Sequence, residues 1–298
     1  MLDGILWLIT NTAMGFYNIA AALSRPALWL DWSDPQAIMR FAFYGGSVEF
    51  FFAAFALVLV LTGVGLWHRP VLWGFVRGAE AFGNGIGRFF AWAGLLMVLQ
   101  QTLIVFLQRI FLVSEISLGP FGSVFTKSLS WYSEELKLYN AMIVALCCAY
   151  TFIQGGHVRV DLFYGGASRR TKKIIDMAGS LLFMIPVLVV TWMYAWFFLW
   201  RHLITPKISA SDTIDALLRK ARVLKWNVET YGFSPNGFNG YFLFKLLILA
   251  FVAMMLVQAL AFFYRNLLEL IEGEEADGRF HDADSLGDPI AERTAEIH

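Results

Sequence analysis

The residues of this chain that could do chemistry are few, and their spacing limits what that chemistry is. Histidines stand at His68, His157, His202, His281 and His298. Membrane-bound haem is held by side chains that face one another inside a bundle. These five fall at the edges of apolar runs or in the polar C-terminal stretch, which argues against ligation by two histidines. Cys147 and Cys148 are the cysteines. Neighbours on a helix point about 100° apart, so the two are poorly placed to pair with each other, and without ligand spacing they make no zinc site. They read as small buried apolar residues. No P-loop, G-x-S-x-G or H-E-x-x-H occurs, and Gly83, Gly85 and Gly87 follow no strand, so they are not a nucleotide loop. An ion pathway needs charge at mid-membrane. Glu49, Asn140, Asp176 and Lys245 lie near the ends of apolar runs, and the central Gln100 and Gln101 are neutral. Hydrogen bonding between helices accounts for the two glutamines without transport. The chain is therefore expected not to be an enzyme, to need no cofactor or metal, and to be a poor candidate for a complete ion-coupled transporter.

The elements that carry these residues follow from composition. Of 298 residues 58% are hydrophobic and 15% charged, whereas a soluble domain carries about 25% charged residues to cover its surface. Mean hydropathy is +0.60. The excess apolar surface must face lipid, which excludes a soluble enzyme, a nucleic-acid reader and a disordered chain. Five runs are long enough to span a bilayer as helices: 43–67, 89–113, 136–156, 174–200 and 241–264. A sixth, 2–23, is either a span or an amphipathic helix in the interface, because Asp3, Thr10, Asn11 and Asn18 form a polar stripe along it. The fold class expected is an all-α integral membrane protein of five to six transmembrane helices. Residues 1–88 form an N-terminal extension, 89–271 a four-helix core, and 272–298 an acidic tail.

Charge sets the expected orientation. The stretch 157–173 holds Arg159, Arg169, Arg170, Lys172 and Lys173, and 68–88 holds three arginines, while 113–135 holds Lys127 as its sole basic residue. The positive-inside rule then places both basic stretches, read as loops, and the C-terminus in the cytoplasm. The loop 201–240 falls outside in spite of its basic residues. Within it, 211–226 is expected to form a surface helix, with Asp212 and Asp215 in the first turn, Arg219, Lys220, Arg222 and Lys225 toward its end, and Ile214, Leu217, Leu218, Ala221 and Leu224 along one face, resting on the membrane or on a partner. The tail carries nine acidic residues against Arg279 and Arg293 and little apolar periodicity, so it is expected to be solvated and to pack on nothing.

Two segments resemble a known family. Ser130-Trp131-Tyr132-Ser133-Glu134-Glu135 precedes the third clear span, and His157-Val158-Arg159-Val160-Asp161-Leu162 follows it, leading into Arg169-Arg170-Thr171-Lys172-Lys173. This is similar to the small membrane subunit of tripartite ATP-independent periplasmic (TRAP) transporters, the DctQ-like family, in a larger subclass. There a W-x-E-E segment opens one span and an H-x-R-V-D-x-L-like segment closes it; Arg109 resembles the family's arginine near the end of the preceding span. The resemblance covers roughly 91–270. It implies a large membrane partner that carries substrate and sodium sites and moves like an elevator, a periplasmic solute-binding protein, uptake of organic acids, and a multi-pass location in the bacterial inner membrane. It makes Arg109, Trp131, Glu134, Glu135, His157, Arg159 and Asp161 candidates for partner contact. Beside it, the residues themselves read more plainly. Ser130 or Ser133 would cap a helix starting near Glu134, and the two glutamates would sit in its first turn. Trp131 and Tyr132 suit an interfacial belt. Arg219, Lys220, Arg222 and Lys225 are candidates for receiving the binding protein. The alternative reading is a haem-free membrane anchor of an electron-transfer complex, since a quinone-binding anchor needs no histidine pair.

Overall fold

The computed structural model describes residues 2–119, 125–155, 164, 166–230 and 237–282. It is an all-helical bundle with two short antiparallel β-ribbons. In chain order the elements are α1 (Leu2–Ser24), α2 (Ala27–Leu30), α3 (Pro35–Tyr44), α4 (Val48–Trp67), α5 (Arg69–Arg109), strands β1 (Glu115–Leu118) and β2 (Phe125–Ser128), α6 (Leu129–Ile153), α7 (Arg169–Gly179), a π-helical turn (Ser180–Met184), α8 (Ile185–Leu203), β3 (Ile204–Thr205), α9 (Ile214–Lys220), β4 (Lys225–Trp226) and α10 (Phe242–Glu272). Among the described residues, six helical segments are long and apolar enough to cross a membrane: α1, α4, α5, α6, the run α7–α8, and α10. All five clear runs and the ambiguous N-terminal one are thus helices of spanning length.

Helix α5 corrects the reading of 68–88 as a loop. It runs unbroken through 41 residues, about 60 Å at 1.5 Å per residue, twice the hydrocarbon thickness of a bilayer. The boundary expected at 88/89 therefore falls inside a continuous helix. The physical reason lies in the first half. Leu72, Trp73, Val76, Ala79, Glu80, Gly83, Asn84 and Gly87 recur at helical spacing and are all buried. Glycine is needed at the crossings: a Cβ on Gly87 would lie 2.2 Å from Tyr150 Cβ, and one on Gly83 would lie 2.6 Å from Gln258 Nε2. The bare backbone at Gly83 lets the buried Gln258 reach the Ala79 carbonyl at 2.6 Å.

Three buried clusters join the elements. Near one end, α3 and α9 pack on α8 through Ile38, Met39, Ala42, Trp196, Leu199, Trp200, Leu217 and Ala221. The indoles of Trp196 and Trp192 donate to the Ala42 and Gly45 carbonyls, each at 2.8 Å. Acceptors that α3 leaves open at its C-terminus are thereby satisfied. A middle cluster joins α6, α8 and α10 through Leu146, Ala149, Leu188, Val252 and Met255. At the opposite end, Leu72, Trp73, Val76, Tyr264, Leu268 and Ala276 close the start of α5 on the end of α10. That end also carries Arg88, Arg169 and Lys173, and it is called the basic end below; the other, which holds the β1–β2 ribbon, is the ribbon end.

The π-helical turn has a local cause. Pro186 lacks an N–H and its ring crowds the carbonyl four residues back, so the regular ladder cannot pass. The Ser180 hydroxyl donates to the Asp176 carbonyl at 2.8 Å just ahead of the turn.

Candidate functional site

The Trp131–Glu135 segment, W-x-x-E-E in this chain, lies in the first two turns of α6, at the ribbon end. The cap is Ser128, whose Oγ accepts from Trp131 N at 3.4 Å, so the helix begins at Leu129, five residues before Glu134. The expected caps Ser130 and Ser133 have other roles: Ser130 pairs with the Ser128 hydroxyl at 2.8 Å, and Ser133 donates to the Leu129 carbonyl at 3.0 Å. Glu134 and Glu135 consequently act as hydrogen-bond acceptors rather than as first-turn anions. Glu134 Oε2 accepts from the backbone N–H of Phe238 at 3.0 Å, and Trp131 Nε1 donates to Asn239 Oδ1 at 2.9 Å while its ring meets Phe238 edge-on at 5.2 Å. Together they pin the segment that leads into α10. Glu135 Oε2 accepts from Gln100 Nε2 at 3.1 Å, and the same amide reaches the Tyr132 carbonyl at 3.2 Å. The central glutamine thus binds α5 to α6, as expected of it. Among the described residues, the Tyr132 hydroxyl is the buried side-chain oxygen left without a hydrogen-bond partner.

Glu134→Ala should remove the acceptor of a partly buried N–H. A loss of about 1–2 kcal/mol is expected, together with faster protease cleavage between 230 and 241. Thermal unfolding of the full chain in detergent checks this, and an unchanged midpoint would show that the motif holds nothing within the chain.

The remaining motif residues do not join this constellation. Arg109 closes α5 and is exposed. His157, Arg159 and Asp161 lie outside the described residues.

The surface helix expected at 211–226 is shorter. Helix α9 spans Ile214–Lys220, capped by Thr213 Oγ1 on Ala216 N at 3.3 Å, followed by a 3₁₀ turn over Ala221–Val223. Part of its apolar face packs within the chain: Leu217 and Ala221 are buried against α3, while Ile214, Leu218 and Leu224 are half-buried. Lys220 Nζ meets Asp212 Oδ2 at 2.7 Å. Burial pushes the Asp212 carboxyl upward, but the bonds from Lys220 and from the Ser209 N–H outweigh it and hold it below the usual range. Arg219, Arg222 and Lys225 remain exposed. Two of the four expected basic contacts are thus displayed on one small helical unit, Lys225 stands on the adjoining ribbon, and Lys220 is engaged within the chain.

A second constellation, at the basic end, was not foreseen. Arg265 on α10 grips Glu80 on α5 by two bonds, Nε to Oε1 at 2.7 Å and Nη2 to Oε2 at 2.6 Å. Both side chains are under 10% exposed. Lys173 pairs with Glu269, which is itself buried. Arg169 Nη2 donates to the carbonyls of Glu269 and Gly273 at 2.8 and 2.7 Å, capping α10, and to Asp277 Oδ1 at 2.8 Å. The first part of the acidic tail therefore does pack, contrary to expectation. Asn84 donates to Asp282 Oδ2 at 2.8 Å, His281 Nε2 stands 3.0 Å from the Ile153 carbonyl, Ala276 is buried, and Phe280 meets Trp73 edge-on. The reason is complementarity: the tail's carboxylates face cations collected from α5 and α7. Residues 283–298 lie outside the described residues. Charge alternation hid this arrangement, because Glu80 and Arg265 sit far apart in sequence and each looks like an ordinary boundary charge.

Residues 122–213 match the family model of the tripartite ATP-independent periplasmic transporters, DctQ component. That stretch, about a third of the chain, is thus similar to the DctQ component, a transporter component. The match takes in β2 through β3 and ends at Thr213, so α1–α5 and β1 before it, and α9, β4 and α10 after it, lie outside. No curated protein and no solved structure matches the chain.

Proposed function

We propose that this chain serves as a static scaffold for the large, elevator-type membrane subunit in sodium-driven, binding-protein-dependent uptake of organic acids, with sodium and substrate bound in that partner. The observation that carries the reading is the lateral face of the second half of α5. Phe89, Trp92, Leu95, Leu96, Leu99 and Leu103 are exposed there without a charge among them, a surface suited to packing in lipid against another apolar helix. In this reading the basic end is cytoplasmic and the ribbon end periplasmic. Single cysteines at Ala167 and Ser211, in a background lacking Cys147 and Cys148, check it with an impermeant thiol reagent. Ser211 is expected to label from outside and Ala167 not; the reverse would overturn the orientation.

On the ribbon end, Arg219, Arg222 and Lys225 form the surface that receives the binding protein, with Glu134 and Glu135 excluded by their engagement inside the chain. Charge of this kind steers encounter and is screened by salt. Reversing the three to Glu is expected to slow uptake about tenfold or more at low binding-protein concentration and low salt, with recovery at high concentration. Lys220 is left in place because its loss would unseat α9. Uptake unchanged at every concentration, with the complex still assembled, would remove this surface from the docking site.

A further inference from the structure

The last turn of α8 holds a histidine whose two ring nitrogens both meet acceptors. His202 Nδ1 stands 2.6 Å from the Phe198 carbonyl, one turn back, and Nε2 stands 3.1 Å from Glu229 Oε2, in the segment that follows β4. The side chain is 15% exposed, and its ring meets that of Phe198 edge-on at 4.8 Å. A carbonyl oxygen cannot donate, and an ionised carboxylate cannot either. Neutral imidazole carries one N–H and can serve one of these partners; imidazolium carries two and serves both. The charged ring is therefore the form that completes this pair of contacts.

What the contact holds is the far end of a short ladder. Strands β3 and β4 pair over two residues, Ile204 with Trp226 and Thr205 with Lys225. Two backbone bonds extend them: Asn227 N donates to the Leu203 carbonyl at 2.9 Å, and Glu229 N to the His202 carbonyl at 2.8 Å. So short a ribbon is marginal by itself, and the His202–Glu229 contact closes it at its last rung. The neighbouring charges are Lys207, on the loop after β3, and Lys245, on α10. Lys245 is 5% exposed, with its ammonium 5.1 Å over the Phe198 ring and 5.9 Å over that of Tyr241. The charges of Glu229 and Lys207 act on it, yet among the described residues it forms no ion pair. We infer that His202 and Glu229 form a clasp closed by acid. With the ring charged, residues 227–229 are pinned to the end of α8. When the ring gives up a proton, Nδ1–H keeps the Phe198 carbonyl, Nε2 turns a lone pair toward the carboxylate, and the clasp opens. Its contribution is thus present at low pH and lost as the pH rises. Opening frees the end of the ribbon that carries the exposed Lys225. The clasp rests on side-chain geometry, whichever side of the membrane the ribbon end faces.

The test is hydrogen exchange on the full chain in detergent, read by mass spectrometry at the N–H groups of Asn227 and Glu229. Each rate is divided by the intrinsic rate at the same pH, so that the chemistry of exchange drops out. Protection is expected to be about tenfold greater at about pH 5 than at about pH 8, the interval across which histidine changes charge. His202→Phe keeps a ring at the position and should show the weaker protection at both pH values. Glu229→Gln separates the clasp from a merely structural contact. An amide can accept from imidazolium and donate to the lone pair of neutral imidazole, so this variant should stay protected at both pH values. Lys245→Met should keep the pH dependence of the unaltered chain. Several outcomes would overturn the inference: protection indifferent to pH in the unaltered chain, a pH dependence that survives His202→Phe or Glu229→Gln, or one that disappears in Lys245→Met. The last would assign the titration to Lys245.

Discussion

Replacing Arg265 with Met should lower the stability of the full chain by about 3–5 kcal/mol, the usual consequence of leaving one member of a buried ion pair without its partner. Glu80 would then be a carboxylate under 10% exposed and stripped of both its hydrogen bonds. Glu80→Leu alone should be similarly harmful. The double change Glu80→Leu with Arg265→Met should recover most of the loss, since an apolar pair of similar volume is often neutral or better. Full recovery is not expected. Arg265 Nη1 also donates to the Arg279 carbonyl at 3.0 Å and stands 3.5 Å from Glu269, and the double variant restores neither contact. Thermal unfolding of the three variants in one detergent decides the matter. A double variant no better than either single would mean that Arg265 acts through the tail and not through Glu80.

Ending the chain after Gly273 should also be costly, on the order of 2–4 kcal/mol, because it removes several hydrogen bonds to charged groups at once. Arg169 would keep the α10 carbonyls but lose Asp277, and Asn84 would lose Asp282. Trimming after Asp282 should be far milder by the same measurement; equal losses would mean that the stabilising contacts lie beyond residue 282. The pH dependence has a definite sign. The Arg169 hydrogen bonds hold the Asp277 carboxyl below its ordinary value, near 3.9. Its contribution is therefore complete above that ordinary value and is lost as the pH falls through the lowered one. Acid, not alkali, should free the segment, and protease cleavage within 274–282 should rise only in strongly acidic buffer.

What the sequence disclosed follows from range. Hydropathy is a local sum, so the apolar runs were legible, as was the segment Trp131–Glu135, whose residues lie close together. Gln100 was legible too, because a lone amide in lipid must find a partner within the bundle. The first half of α5 was not. Its arginines and five glycines resemble loop composition, although Leu72, Val76, Gly83 and Gly87 already carried the helical period. The docking of the tail was not legible either, since Asp277 and Asp282 reveal their purpose only when Arg169 and Asn84 are brought within reach. Pro186 inside an apolar run was a visible sign of the π turn, but proline alone does not say whether a helix will kink, break or widen.

The Glu80–Arg265 bond also has a consequence for how the protein is made. Its partners are 185 residues apart, and at about 5–20 residues per second a ribosome takes roughly 10–40 s to travel from one to the other. For that interval the carboxylate on α5 has no guanidinium to meet, so the foot of that helix is held in water or at the headgroups by an unanswered charge. Helix α10 brings the answering charge, and the segment just behind it brings Asp277 and Asp282. The basic end therefore cannot close until synthesis has passed Asp282, and chains released before Arg265 leave Glu80 without its partner.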